Sequence, residues 1–256
     1  MTDRQITTAR NKHRISFIFS VLVFIGANGG RAEKGTAMKD KDLKASPYFK
    51  DDFSDGLKNW AVEEWETENE VQVGIRDVKL HVKTVSRVHG VMVWCKRKLP
   101  ENFVVEYEVT PLSASGFFLI FFCYKGQDGK SILDETHFKD RDHPTLFKKY
   151  TKGRLDGYHI SYRRNDAANC NFRKNSGQVL MKQHAIDKIL PANRAVHVSL
   201  SKNGGRFILK VDGTVFMDFT DDRTRDGKIR EGGHIGLRQV YESEGVYDNF
   251  RISELK

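Results

Sequence analysis

The stretch DGYHISYRRND, residues 156 to 166, reads with a period of two. Successive side chains of a β-strand point to opposite faces. Tyr158, Ile160 and Tyr162 therefore share one face, and His159, Ser161 and Arg163 share the other. An imidazole, a hydroxyl and a guanidinium in one row form either a solvated face or the floor of a binding groove. Two other segments carry similar rows. In GHIGLRQV, His234, Gly236 and Arg238 lie opposite Ile235 and Leu237, and Tyr241 follows closely. In NCNFRKN, an extended chain puts Asn169, Asn171 and Arg173 on one face. An arginine fork binds carboxylate or sulfate bidentately. If these rows belong to one sheet, they make a cationic groove with histidine and tyrosine at hand. Taken singly, each residue also has an ordinary role open to it, as a solvated surface group or a guard on a sheet edge.

Strands must position these rows, and nearly the whole chain reads as strand and turn. VQVGI and VKLHVKT alternate; GVMVWCKRKLP and NFVVEYEVTP are rich in β-formers and end at proline. GFFLIFFCY is apolar on both faces, the pattern of a central strand covered on both sides. RAVHVSLS, RFILKV and TVFMDF follow at short intervals. The NGG at Asn203 and the Asp212–Gly213 pair supply the positive φ of hairpin turns. GQVLMKQHAIDKIL reads as a strand followed by an irregular segment. Many short strands with little helical periodicity predict an all-β antiparallel sandwich. One long polar insert, residues 125–156, interrupts the rhythm and carries His137, His143, Lys148, Lys149 and Tyr150. Loops of this length are usually functional or disordered. This one leads straight into the strand of His159, so it is placed to overhang that strand's polar face.

The first 32 residues read apart from the fold. Basic residues precede the apolar run Ile15 to Ala27, and Gly30 and Ala32 put small residues at both key positions before a cut after Ala32. That is the pattern of a secretory signal, and the run is shorter than the ~20 residues a membrane span needs. An uncleaved N-terminal anchor is the alternative. A secreted or periplasmic protein with no membrane span after cleavage is expected. Residues 33–46 read as a flexible leader and 47–256 as one domain, about 220 residues being within the range of a single all-β unit. The whole chain of 256 residues carries a formal net charge of +9. The first 32 residues hold five Lys or Arg and one acid, so the remainder keeps 38 basic against 33 acidic residues, a net of +5. This mild excess suits an acidic ligand. No block of Lys and Arg resembles a nucleic-acid arm, so nucleic acid is set aside. Cys95, Cys123 and Cys170 allow one disulfide, with the pair left open, and their spacing is not that of a zinc knuckle.

Three segments in order, YFKDDFSDGLKNWAVE, RFILKVDGTVFMDF and GGHIGLRQVYESEGVYDNFRI, resemble the concanavalin-A-like (laminin-G-like) jelly rolls, and in particular the YesU-like family of unknown function. The resemblance spans roughly residues 47–255 and rests on the order of the motifs more than on any one. It implies two curved antiparallel sheets whose concave face commonly holds carbohydrate. It supplies no agreed reaction, so no catalytic residue is carried over.

Within that expectation, chemistry is weighed residue by residue. The retaining glucanases of this superfamily carry E-x-D-x-x-E on one strand, since retaining hydrolysis needs two carboxyl groups about 5–5.5 Å apart. No such run occurs. Glu106 and Glu108 of EYE read as a solvated face, and EEWETENE lacks the spacing. Other members of the superfamily are polysaccharide lyases, which need a group to neutralise a uronate carboxylate, a base and an acid. Arg163 and Arg238 are the candidates for the first role, His159 for the base, and Tyr241 or Tyr162 for the acid; the parity of Tyr162 places it with the core. Ser161, Asn171 and Arg173 are candidates for substrate binding. Trp60 and Trp94 have side chains able to stack on sugar rings, although tryptophans on strands also serve as core. No cofactor is implied. Asp248 and Asn249 of YDNF have the types to hold a structural calcium, or to stabilise a turn through their own backbone. The expected partner is a polysaccharide or oligosaccharide bearing uronate or sulfate. The expected activity is lyase-type elimination, with a non-catalytic carbohydrate-binding domain and a laminin-G-like adhesion module as alternatives.

Overall fold

The computed structural model describes residues 44–64, 70–164, 168–186 and 190–256. The expected signal, most of the leader and the middle of EEWETENE lie outside these residues. The described chain forms β1 (Ala45–Asp51), β2 (Trp60–Glu64), β3 (Val71–Arg76), β4 (Lys79–Thr84), β5 (Gly90–Cys95), β6 (Phe103–Pro111) and β7 (Phe117–Gly126). Two short helices follow, α1 (Glu135–Phe138) and α2 (Leu146–Lys152). The rest is β8 (Leu155–Arg164), β9 (Asn169–Asn175), β10 (Val179–Ala185), β11 (Val196–Asn203), β12 (Arg206–Val211), β13 (Thr214–Thr220), β14 (His234–Val240) and β15 (Glu244–Leu255). β1 takes in Ala45 and Ser46, which the sequence assigned to the leader.

The strands make two antiparallel sheets, as the sequence predicts. The first has the order β13-β12-β11-β6-β15-β4-β3, with β1 also pairing to β15. The second has the order β10-β9-β8-β7-β14-β5-β2. In the first sheet the alternation is clean. Phe103, Val105, Tyr107 and Val109 of β6 are buried, and the residues between them are half-exposed. On that outer face Glu106 is bound by Arg251 at 2.9 and 3.1 Å, and Glu108 accepts from Asn249 at 3.1 Å. These acids are a solvated, ion-paired face, as expected. The hairpin joining β12 to β13 has φ +47° at Asp212 and +77° at Gly213, the positive pair of a two-residue hairpin turn.

The middle of the second sheet is buried on both sides, and this explains the unbroken apolar run of β7. Phe118, Ile120 and Phe122 face the core between the sheets, whereas Leu119, Phe121 and Tyr124 face the other way. There they join Met92, Trp94, Ile132, Leu146, Tyr150 and Leu155 in a second apolar cluster. The insert between β7 and β8 supplies Ile132, Leu146 and Tyr150, so it is packed as a roof on the sheet. Asp134 caps α1 through Thr136 N, and Thr145 caps α2 through Lys148 N, each satisfying a backbone donor that the first turn leaves unpaired. The insert is therefore structured and partly apolar, whereas its composition reads as polar. All three cysteines are buried free thiols in the inter-sheet core.

Candidate functional site

Registration of four neighbouring strands brings the polar rows together. Arg173, His159, Phe121 and Gly236 stand opposite one another on β9, β8, β7 and β14. Asn171, Ser161, Leu119 and Arg238 form the next row on the same strands. Above these rows lies a cleft of about 340 Å³. One wall is Thr145 and Phe147 at the start of α2; the other is Arg87, Val88 and Tyr241. His159, Ser161, Asn171, Arg173, Arg238 and Tyr241 all line it. So do three arginines in all, and no carboxylate.

Arg238 is the deepest of these charges. It is 3% exposed, and its Nε is buried with no hydrogen-bond partner among the described residues. Phe147 lies over its guanidinium at 4.9 Å. Burial lowers its pKa to about 10, so it stays charged at neutral pH. Room for it depends on Gly90, where a Cβ would lie 3.1 Å from Nη2 and 2.5 Å from the Gln239 carbonyl. A buried charge without a counter-charge is expensive in free energy, by several kcal/mol. Such a group points to a ligand that completes it.

His159 sits between two rings. Phe121 stacks on it at 4.7 Å and 10°, and Phe147 meets it edge-on at 5.9 Å. Burial first, then the charges of Arg173 and Arg238, depress its pKa to about 3. The imidazole is therefore neutral at physiological pH. Its Nδ1 contacts the Asn175 side-chain amide at 2.8 Å, and that amide also contacts the Tyr124 hydroxyl at 2.5 Å. With the amide nitrogen donating, His159 carries its proton on Nε2; with the amide turned over, Nε2 holds a lone pair instead. Tyr241 stacks on Phe117 at 5.2 Å and 15°, and its backbone N–H donates to Ser86 O at 3.2 Å. Arg87, on the same rim, is paired with Glu242 at 2.8 Å. Arg173 donates to Gln178 O at 3.0 Å.

Two predicted site residues lie elsewhere. The pairing of β8 with β7 slips by one residue, so that Phe118 faces Arg163 while Leu119 faces Ser161. Tyr162 is the extra residue of this β-bulge. A bulge breaks the alternation, and Arg163 turns off the face it would share with His159. It packs over Phe118 at 5.3 Å and donates to the carbonyls of Ser113, Ala114 and Ser115 at 2.6–2.7 Å and of Leu190 at 3.2 Å. Arg163 is thus a pin for the β6–β7 connection and does not reach the cleft. Tyr162 lies in the inter-sheet core, its hydroxyl 3.1 Å from that of Tyr107, and is likewise withdrawn as an acid or a ligand contact.

The remaining candidates resolve similarly. Trp60 is core, with Nε1 donating to Asp51 at 2.9 Å. Trp94 is fully buried under the insert, so neither indole presents a stacking face. His234 bridges Ser131 Oγ at 2.8 Å and the Cys95 carbonyl at 3.0 Å, outside the cleft. Asp248 is paired with Lys79 at 2.9 Å and accepts from Asn249 N at 2.7 Å, at a residue of φ +53°. This is a local backbone role. Among the described residues, no group of three or more His, Cys, Asp or Glu is placed to hold a metal ion.

Sequence reasoning missed the anchor of the roof. Glu63 of β2 is 3% exposed and accepts from Lys149 Nζ, the Tyr150 hydroxyl and Trp94 Nε1. Lys149 also donates to Phe138 O at 3.0 Å. Burial lowers the Lys149 pKa, against the attraction of Glu63. Phe147 was also missed, because an aromatic in a polar insert carries no periodic signal.

Two antiparallel sheets packed face to face, with an insert roofing one outer face, define the class as a jelly-roll sandwich. Residues 53–252 match the family described as a domain of unknown function, DUF1961, and the chain belongs to that family. It is 25% identical over 201 residues to the uncharacterized protein YesU of Bacillus subtilis strain 168, covering 75% of this chain and 90% of that one. Its fold is similar to a crystal structure of a Bacillus subtilis protein of unknown function with a galectin-like fold. That match has a TM-score of 0.72 at 24% identity and covers 83% of this chain and 98% of that one. It is also similar to the carbohydrate recognition domain of Emp46p in its metal-free form. The TM-score there is 0.50 at 13% identity, covering 77% and 88% of the two chains.

Proposed function

We propose that the cleft binds an acidic sugar, bearing uronate or sulfate, of an extracellular polysaccharide or oligosaccharide. The observation that carries this reading is Arg238, a buried guanidinium with an unpartnered Nε lining a cleft that contains no carboxylate. Arg173 adds a second charge three strands away, and Ser161, Asn171 and His159 offer neutral hydrogen-bonding groups on the same floor. Tyr241 and Phe117 give one wall an apolar face. The secretory signal expected in residues 1–32 accords with a ligand outside the cytoplasm. The shared sandwich of a carbohydrate recognition domain supports a sugar over other acids. Calorimetric titration with uronate and sulfated oligosaccharides tests the proposal. Binding is expected for the acidic sugars, with Arg238→Gln weakening it at least about tenfold, as for loss of a charge-assisted pair. Equal affinity for neutral glucans, or an unchanged affinity in the variant, would overturn it.

A second reading is β-elimination on the same ligand. In it His159 Nε2 takes the proton α to the carboxylate, the bond to the leaving glycosidic oxygen breaks, a C=C bond forms, and Tyr241 protonates the leaving oxygen. One observation favours it: Arg173 and Arg238 both add to the depression that burial imposes on His159, and a carboxylate bound between them would offset that share. Against it, a base with a pKa of about 3 is poorly matched to neutral pH. Binding is therefore the primary reading. Unsaturated uronate absorbs in the near ultraviolet, and its appearance with turnover would promote elimination.

A further inference from the structure

We infer that the cleft recognises the end of a glycan chain, with the acid at the terminal residue and the chain leaving over β10. This rests on the cleft being an acidic-sugar site. It adds a direction, which follows from how the two ends of the polar row differ.

Followed across the strands, the row of Arg238 continues in both directions. Toward β5 and β2 it meets Met92 and then Glu63. Both are buried, 0% and 3% exposed, beneath Lys149 and Tyr150 of the roof. The parallel row ends the same way: Gly236 faces Trp94, which is 0% exposed. The roof therefore stops the groove just past Arg238. Toward β10 the row runs from Asn171 to Gln183, and the row of Arg173 runs to Leu180. Gln183 and Leu180 are exposed, and β10 is the last strand of the sheet. The floor thus begins at a blind, positively charged end and opens onto a solvent-facing edge. The row from Arg238 on β14 to Gln183 on β10 spans five strands, hence four strand spacings, so the floor is about 19 Å long. A polymer cannot continue past Arg238, whereas a chain entering from β10 can seat its last residue there.

The experiment compares oligogalacturonides of one to four units, the same oligomers with only the terminal non-reducing carboxyl reduced to an alcohol, and a second set modified at the reducing end. Heparin oligosaccharides test sulfate in place of carboxylate. Affinity is expected to rise with length and then level off. It should fall at least about tenfold when the acid of one terminal residue is removed, the size of a lost charge-assisted contact. The modification of the opposite end should have little effect on the longest oligomer. The polymer should bind in proportion to its chain ends. Polymer binding in proportion to mass, or equal affinity for oligomers with and without terminal acids, would overturn the direction while leaving acidic-sugar binding in place. If none of these acidic sugars binds, both readings fall together.

Discussion

Arg238 holds a charge where burial disfavours it, and no carboxylate of the cleft answers it. Replacing such a charge with an apolar side chain of similar volume often stabilises a protein by about 1–4 kcal/mol. Arg238→Met is therefore expected to raise the melting temperature while abolishing acidic-sugar binding; thermal unfolding beside calorimetry checks both. Arg163 predicts the opposite. Its guanidinium donates to five backbone carbonyls, so Arg163→Met leaves these acceptors without their donor and should cost about 1–3 kcal/mol, read by denaturant unfolding. His159 gives a pH signature. The unfolded imidazole titrates near 6.5, and the folded one stays neutral down to about 3. Between these values the unfolded chain binds a proton that the folded chain refuses, so stability falls as pH falls through that window and is unaffected above it. His159→Phe keeps the ring between Phe121 and Phe147 and removes the proton. Its stability relative to the parent should rise steadily from pH 7 to pH 4, in denaturant titrations at each pH.

At the scale of elements, α2 is the part on which the cleft depends. It contributes Thr145 and Phe147 to the wall. It is tied down by Lys149 and Tyr150 on Glu63. Removing Lys149 takes the closest cation from buried Glu63 and leaves Arg141 at 3.8 Å as its remaining ion-pair partner, so the loss should stay below the about 3–5 kcal/mol of a fully broken buried pair. Lys149→Ala is expected to speed amide exchange in residues 146–152 far more than in β7 or β14, and to weaken sugar binding. Unchanged exchange there would show that apolar packing alone holds the roof. The sequence made the sheets legible because alternation in β6 and β11 maps directly onto burial. It put His159 with Ser161, Asn171 with Arg173, and Arg238 on polar strand faces, but whether those faces met depended on strand order, which only the register supplies. It could not reveal the bulge at Tyr162, since the extra residue looks like any other in an alternating run. Nor did it reveal that Glu63 is a buried anchor, because its partners lie 86 and 87 residues away in the chain.

At the scale of the whole molecule, the two cores differ in accessibility. The inter-sheet core holds all three thiols, and burial raises Cys95 and Cys123 to about 12. A thiol so raised has little thiolate at neutral pH and reacts slowly. Native protein should give almost no reaction with a thiol reagent, and three equivalents after denaturation without reductant. Fewer than three would mean that a disulfide had formed. The second core is smaller and is roofed by the insert, so ligand-linked opening should appear there while the thiols stay protected.

The bulge at Tyr162 has a consequence for comparing relatives. Position 163 changes sides according to whether one extra residue is accommodated opposite Phe118 and Leu119. A homologue identical from 159 to 163, but paired without the slip, would present three side chains of this strand to its ligand and would lose the guanidinium that fastens the connection after β6. Two such proteins would align without a gap and differ in specificity, so residue identity at this strand is informative only together with hydrogen-bond register.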